Sequence, residues 1–202
     1  MNISETMDFA RANKQAMLLL LTATRDYSSA RCLMLNGLQA GFSVGAQAIE
    51  KYLKATIYLS APSTPTKRSH NLPALLLDAE ALLPGLAASN FEATATTFHE
   101  FYQTRYPDND NQPISMNTGM IADLDEMVIG INVMLPMPRN IRMRSGLFAL
   151  VMFSLNHLNS ETPDEKWIKM QNAALAPHWD RIRTEYFETM KEIYPQSPEL
   201  HQ

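Results

Sequence analysis

The residues of this chain that best suit catalysis or ligand binding are one arginine and two histidines. Arg105 closes a helical face on which apolar and aromatic residues recur at helical spacing: Phe91, Ala95, Phe98 and Tyr102. Its guanidinium could cap carbonyls, lie along apolar surface or point into a groove. His99 lies at the edge of this face, and His70 ends a proline-rich loop. Histidine exchanges protons near pH 7, and arginine offers a fixed fork of donors to phosphate.

The segment that follows Arg105, residues 106–117, reads YPDNDNQPISMN and is polar and turn-rich. A loop of about a dozen residues in a compact protein is often functional. Tyr106 and Asp108 are therefore candidate ligand contacts.

A third group of candidates lies on the helix predicted for Gly45–Ser60, GAQAIEKYLKATIYLS. Its apolar residues fall within one arc, and Glu50, Lys51 and Lys54 fall on the opposite side. Glu50 precedes Lys54 by four residues, the favourable order for a surface ion pair. We expect a buried face and a charged, solvent-facing side that could contribute to a binding site.

Other chemistries are excluded or disfavoured. The five histidines contain no i,i+4 pair and Cys32 is the single cysteine, so neither a zinc site nor an intramolecular disulfide is expected. The chain has no Gly-x-x-x-x-Gly-Lys phosphate loop and no Gly-x-Ser-x-Gly elbow. We expect no cofactor. The net charge of −4 and pI near 5.7 argue against a DNA surface, although a local basic patch stays possible.

Hydrophobic spacing near 3.6 residues recurs along the chain and predicts an all-α protein, at least about 55% helical with essentially no sheet. Seven glycines against thirteen methionines agree with that class.

Pro136 and Pro138 separate a bundle of residues 1–135 from a helical extension, 136–202, expected to pack on the same domain. The predicted helices are Glu5 to Leu21, Asp26 to Leu38 with Asp26 as N-cap, Gly45–Ser60, Pro73–Leu83, Phe91–Thr104, one from Asn117 or Thr118 to Pro136, Gly146–Leu158, Thr162 to about Leu175, and His178–Tyr194.

The sequence predicts no contact with a membrane. Its most apolar run, Gly146–Leu155, has ten residues, against the roughly 20 that a spanning helix needs. The apolar run Ala16–Ala23 follows acidic and basic residues in mixture, whereas a signal peptide has a basic lead. We therefore expect a cytoplasmic protein.

Five pieces of the sequence resemble, in order and spacing, the HEPN family of helical domains. They are Asp26-Tyr27-x-x-Ala30-Arg31, Gly41-Phe42, Ala48-Ile49-Glu50-Lys51-Tyr52-Leu53-Lys54-Ala55, His70-Asn71-Leu72, and Arg105-Tyr106-Pro107-Asp108. The similarity covers about residues 24–135. It implies an up-and-down helical bundle, often a homodimer, tied to a nucleotide, RNA or a nucleotidyltransferase partner. Residues 136–202, outside the similarity, would add extra C-terminal helices.

Many HEPN members are metal-independent ribonucleases that use an arginine followed by four to six residues and then a histidine. After Arg105 those positions hold Asp110, Asn111 and Gln112, and no other arginine here has a histidine at that spacing. The resemblance thus makes Asp110 a candidate catalytic group, but an unperturbed Asp110 is too acidic to donate a proton at neutral pH. RNA cleavage through the 2′-hydroxyl needs a proton acceptor and donor near pH 7 and a cation for the developing negative charge. The resemblance therefore implies loss of nuclease activity rather than retention.

Three functions stay open on the sequence. The first is a binding module without nuclease activity that holds a nucleotide, RNA or a protein partner through Arg105, Tyr106, Asp108, Glu50, Lys51 and Lys54. The second is a metal-independent endoribonuclease of toxin or defence type, with His70 or His99 as the displaced base. The third is a helical dimer in which these residues are structural. We rank them in that order.

Overall fold

The computed structural model describes residues 3–63, 69–105, 117, 119–143, 146–152 and 162–196. Its helices in chain order are α1 Ile3–Ala12, α2 Lys14–Leu35, α3 Ala40–Ser60, α4 Leu72–Leu82, α5 Pro84–Ala87, α6 Glu92–Gln103, α7 Gly119–Met134, α8 Arg139–Arg142, α9 Gly146–Val151, α10 Pro163–Lys169 and α11 Trp179–Ile193. Helices make up 78% of the structure, and the described residues contain no β-strand. The predicted all-α class is confirmed. None of the described helices is both long and apolar enough to cross a membrane.

The longest helices, α2 and α3, form an antiparallel hairpin through the short connection 36–39. The two backbones approach closely at Gly41, where an added Cβ would lie 2.6 Å from Met34 Cγ and 3.0 Å from the Ala30 carbonyl oxygen. Only a glycine fits there. The hairpin carries most of the core, because helices α4, α6, α7 and α10 all pack against it.

The start of the chain differs from the prediction. We expected helices at Glu5 to Leu21 and at Asp26 to Leu38, but α1 ends at Ala12 and α2 runs unbroken from Lys14 to Leu35. No glycine or proline interrupts residues 14–35, so nothing stops the helix. Asp26 is therefore not an N-cap. It lies within α2, where its carboxylate accepts a hydrogen bond from Lys51 of α3.

Helices α4, α6 and α7 begin and end close to the predicted residues. The Asn71 side chain caps α4 by accepting the Ala74 N–H at 2.9 Å, and a proline follows in the first turn. The Asn117 side chain accepts the Met120 N–H at 3.2 Å at the start of α7. Helix α3 begins at Ala40, five residues earlier than expected.

Residues 162–196 return to the bundle through α10, which lies against α2. Thr162, where the sequence places the start of this helix, forms a capping box with Glu165, with hydrogen bonds of 3.2 and 3.4 Å. However, α10 ends at Lys169 and not near Leu175. The carbonyls of Trp167 and Met170 accept hydrogen bonds from Arg31 of α2. Gln171 then takes a left-handed backbone conformation, with φ of 53°. Helix α9 covers Gly146–Val151, and residues 153–158 of its predicted span lie outside the described residues.

A buried arginine joins the hairpin to the C-terminal segment. The Arg31 side chain is 0% exposed. Its Nε donates to the Trp167 carbonyl at 2.7 Å, one Nη to the carboxylate of Asp125 on α7, and the other to the Met170 carbonyl. All three nitrogens therefore have partners, as a buried charge requires.

The Asp125 carboxylate is equally enclosed. Its second oxygen accepts the Tyr27 hydroxyl at 2.7 Å, and that hydroxyl accepts the Asn172 side-chain amide at 2.9 Å. Burial, reinforced by the Asp125 charge, holds the pKa of Tyr27 well above its usual value, so the phenol keeps its proton and donates. Burial raises the pKa of Asp125, and the Arg31 guanidinium acts in the opposite direction. We refer to Tyr27, Arg31, Asp125 and Asn172 as the buried network.

Removal of one charge from the buried network leaves the other uncompensated. We expect Arg31→Met to lower the free energy of unfolding by about 3–5 kcal/mol, because Asp125 would stay buried without its counter-charge. The double variant Arg31→Met/Asp125→Leu should lose less than the sum of the two single variants. Urea denaturation followed by circular dichroism measures all three.

The matched control is Arg139, which is partly exposed and pairs with Glu188 and Glu192 of α11. Arg139→Met should cost no more than about 1 kcal/mol, as exposed ion pairs do. Equal losses for Arg31→Met and Arg139→Met would contradict a structural role for the buried network.

Candidate functional site

A surface groove lies between the first half of α3 and the end of α6. Phe101 of α6 is its aromatic lining residue, and the Phe101 ring is held by stacking on Phe42 of α3, with centroids 4.3 Å apart. Phe98 reaches α3 at Gly45, where an added Cβ would lie 2.7 Å from the ring. The groove has a volume of about 460 Å³. Its lining residues are Gln39, Ala40, Ser43, Val44, Gln47, Phe101, Thr104 and Arg105.

Arg105, the residue emphasised by the sequence, stands at the end of this groove. It is exposed, and its guanidinium carbon lies 5.0 Å from the centre of the Tyr102 ring. The His70 ring stacks on the same tyrosine, with centroids 6.2 Å apart and planes 16° from parallel. Two side chains that are distant in sequence therefore meet at Tyr102. We call Tyr102, His70 and Arg105 the aromatic–basic cluster.

The His70 imidazole is held from its other side by Glu50. Its Nδ1 lies 3.0 Å from one Glu50 oxygen, and Lys54 Nζ donates to the other at 2.7 Å. A carboxylate only accepts, so the Nδ1 of His70 carries a proton, and in the neutral imidazole Nε2 is then the acceptor. The His70 side chain is 60% exposed, and Glu50 is 9% exposed. A buried carboxylate thus orients a histidine that reaches solvent.

This geometry corrects the expectation of a solvent-facing side on α3. Glu50 is buried, and Lys51 and Lys54 are only partly exposed, because the segment before α4 and the neighbouring helix α2 cover this side. Lys51 pairs with Asp26 of α2 and takes no part in the aromatic–basic cluster. Lys54 reaches the cluster only through Glu50.

The other predicted site residues are not brought together with these. His99 lies on α6, and its Nδ1 is buried without a hydrogen-bond partner in the part of the chain that the structure describes. No described contact joins it to Arg105 or His70. Tyr106, Asp108 and Asp110 lie outside the described residues, as do Asn111 and Gln112.

Sequence reasoning missed the role of the buried network. Arg31 entered only as part of a family motif and Asp125 not at all. A signal was present, because Tyr27, Arg31 and Met34 follow helical spacing and share one face of α2. A charge within an apolar stripe predicts a buried partner of opposite sign.

The described residues contain no group of three or more His, Cys, Asp or Glu side chains that could hold a metal ion. We compared the chain with protein-family models, curated proteins and solved structures, and none matches. The functional argument therefore rests on the residues and their geometry.

Proposed function

We propose that this chain is a HEPN-like helical module, cytoplasmic and without nuclease activity, that binds a nucleotide or single-stranded RNA at the groove between α3 and α6. The observation that carries the proposal is the meeting of His70 and Arg105 at the ring of Tyr102. Aromatic and histidine rings stack on nucleobases, and an exposed guanidinium binds phosphate in a bidentate manner.

The groove beside the cluster supplies the remaining chemistry of nucleotide recognition. Gln39, Ser43 and Gln47 line it with amide and hydroxyl groups, which form hydrogen bonds with base edges and ribose. The site is small and local, which agrees with a chain of net charge −4. Absence of nuclease activity is proposed because Asp110, Asn111 and Gln112 occupy the positions at which the family's histidine would stand.

A metal-independent endoribonuclease is the second candidate, and one observation favours it. Glu50 orients His70 through a 3.0 Å contact to Nδ1, which directs Nε2 to act as the acceptor. In this candidate His70 Nε2 removes the proton of the 2′-hydroxyl, and the 2′-oxygen bonds to the adjacent phosphorus as the bond from phosphorus to the 5′-oxygen breaks. The 5′-oxygen takes a proton from water, and Arg105 stabilises the negative charge that develops on phosphorus-bound oxygens. Between the two bases considered from the sequence, this contact favours His70 over His99.

A twofold dimer is also proposed, from the family resemblance and from an apolar ridge on α2. Leu18 and Leu21 are one turn apart, 49% and 46% exposed, and Met7 of α1 is exposed as well. Neighbouring exposed apolar side chains of this kind mark association surfaces.

Binding at the cluster is tested with Arg105→Ala and Tyr102→Leu. Each should weaken binding of a fluorescein-labelled oligouridine about tenfold in fluorescence anisotropy, because one base–aromatic or guanidinium–phosphate contact is lost. The melting temperature of Arg105→Ala should stay within about 1 °C, since the side chain is exposed.

Arg183→Ala is the matched control for this experiment. Arg183 is also exposed and lies over an aromatic ring, 5.9 Å from the centre of Phe187, but on α11. It should leave binding unchanged. A fall of several degrees in the melting temperature of Arg105→Ala, with no binding by the wild type, would assign Arg105 to the scaffold.

The nuclease candidate is tested by incubating the purified chain with a labelled single-stranded RNA, with and without EDTA. We expect no cleavage above a buffer control. If cleavage occurs and survives EDTA, His70→Gln should lower its rate by about 100-fold or more, the usual worth of general acid–base catalysis. His99→Gln should leave the rate unchanged. The reverse order of the two variants would exclude His70 as the base.

The dimer is tested by sedimentation velocity at micromolar concentrations. The double variant Leu18→Glu/Leu21→Glu should sediment as a monomer where the wild type sediments as a dimer, because two carboxylates would have to be desolvated in the interface. Leu77→Glu is the control, since Leu77 is 67% exposed on α4. A monomeric wild type would refute the proposal.

A further inference from the structure

A second and larger cleft lies outside the aromatic–basic cluster. It has a volume of about 670 Å³ and opens between α2, α7 and the segment 171–178. None of its lining residues lines the groove between α3 and α6. Its size falls within the range of about 300–1,000 Å³ typical of small-molecule sites. One wall belongs to the C-terminal segment, beyond the part of the chain that resembles HEPN domains.

The walls of this cleft are mostly apolar, and one of their side chains is held in place by a neighbouring helix. Met34 of α2, Ile129 of α7 and the Phe91 ring line it. Phe91 lies close against α7, because a Cβ added at Gly130 would be only 2.7 Å from the ring. The ring is therefore fixed by the helix backbone. An apolar wall of this kind favours a ligand with an apolar body.

The negative charge on the floor of the cleft, that of Asp125, is neutralised by a positive partner. Asp125 lines the cleft, but both carboxylate oxygens are bound within the buried network, to Tyr27 and to Arg31. A ligand therefore meets a neutral ion pair there. The turn at Gln171, which also lines the cleft, follows Met170, whose carbonyl binds Arg31. The same network thus shapes the floor and one wall.

One uncompensated charge stands beside this floor. Glu126 lines the cleft, is exposed, and has no ion-pair partner among the described residues. His178 is the third titratable lining residue. Burial, with Arg181 nearby, lowers the pKa of His178, so its imidazole is neutral at pH 7 and does not offset Glu126. Because Arg31 behind the lining neutralises Asp125, Glu126 leaves one net negative charge at the cleft.

We propose that this cleft binds a small amphiphilic amine, with the apolar body between Met34, Phe91 and Ile129 and the ammonium group at Glu126. Charge complementarity selects the cation, and the apolar walls select the body. The site is independent of the groove between α3 and α6, and of any nucleotide or RNA that the groove binds.

The test uses three probes that share one aromatic body: 2-phenylethylamine, 2-phenylethanol and phenylacetate. Binding is followed by NMR of the protein labelled at the methionine methyl groups, in which Met34 reports on the cleft. Met7, exposed on α1, serves as the internal reference. The amine should shift the Met34 signal with a Kd on the order of 1 mM, the alcohol should bind more weakly and the carboxylate most weakly.

Two variants separate the charge from the shape of the site. Glu126→Gln should weaken the amine about fivefold and leave the alcohol unchanged, as expected for an exposed ion pair. Asp123→Asn is its matched control, because Asp123 is exposed on the same helix but does not line the cleft. Ala122→Phe places a ring in the cleft from an exposed helix position and should abolish the binding of all three probes.

Several results would overturn the proposal. They are equal binding of the three probes, an amine affinity unaffected by Glu126→Gln, and no shift of the Met34 signal at about 20 mM amine. A shift of Met34 that persists in Ala122→Phe would place the bound amine elsewhere and would also overturn it. The result is independent of RNA binding, so failure here leaves the function proposed for the other groove untouched.

Discussion

The contact between Arg31 and Asp125 is the interaction on which the arrangement of the helices depends. A fully buried guanidinium is tolerated only when its nitrogens have hydrogen-bond partners, because the cost of taking a charge out of water exceeds that of any single hydrogen bond. Here the partners come from α7 and from the end of α10, so α2, α7 and the C-terminal segment must all be in place together. The requirement couples distant parts of the chain into one packing unit.

This requirement also explains where α10 stops. The last carbonyls of a helix need partners outside the helix. Arg31 supplies donors to the carbonyls of Trp167 and Met170, so the chain turns at Gln171 and does not continue as helix. The turn brings Asn172 to the Tyr27 hydroxyl, which extends the network by one further hydrogen bond. A buried charge on one helix thus determines the end of another.

Local signals predicted those parts of the fold that local interactions determine. Helices α4, α7 and α10 begin close to the predicted residues, because caps such as Asn71 and Thr162 act within a few residues of the helix that they open. The unbroken run of α2 was missed because Asp26 resembles an N-cap, although its true partner is Lys51 on the next helix. The apolar stripe around Arg31 indicates a buried partner of opposite charge, but that partner, Asp125, lies 94 residues away and helical spacing does not identify it.

The candidate site also has features that the local sequence predicts and features that it does not. The position of Arg105 at the end of an aromatic face was predictable, because Arg105 directly follows Thr104, the C-cap of α6. The burial of Glu50 was not predictable, because it depends on where the loop before His70 brings the chain back to α3. Helical spacing describes the faces of one helix, and it does not say which later segment covers a face.

Two buried carboxylates illustrate how scaffold and site differ in this protein. Asp125 and Glu50 each bind two donors, and each is nearly excluded from water. Asp125 accepts hydrogen bonds from Tyr27 and Arg31, and both of these side chains are themselves buried. The charge of Asp125 therefore serves only to hold buried side chains together. One donor to Glu50 is the His70 imidazole, which reaches solvent and stacks on Tyr102. Fixing the proton on Nδ1 directs the acceptor nitrogen away from the carboxylate. Glu50 is buried but its partner His70 is exposed, so Glu50 fixes the orientation of a side chain at the protein surface. For this reason the candidate site is at His70 and not at Asp125.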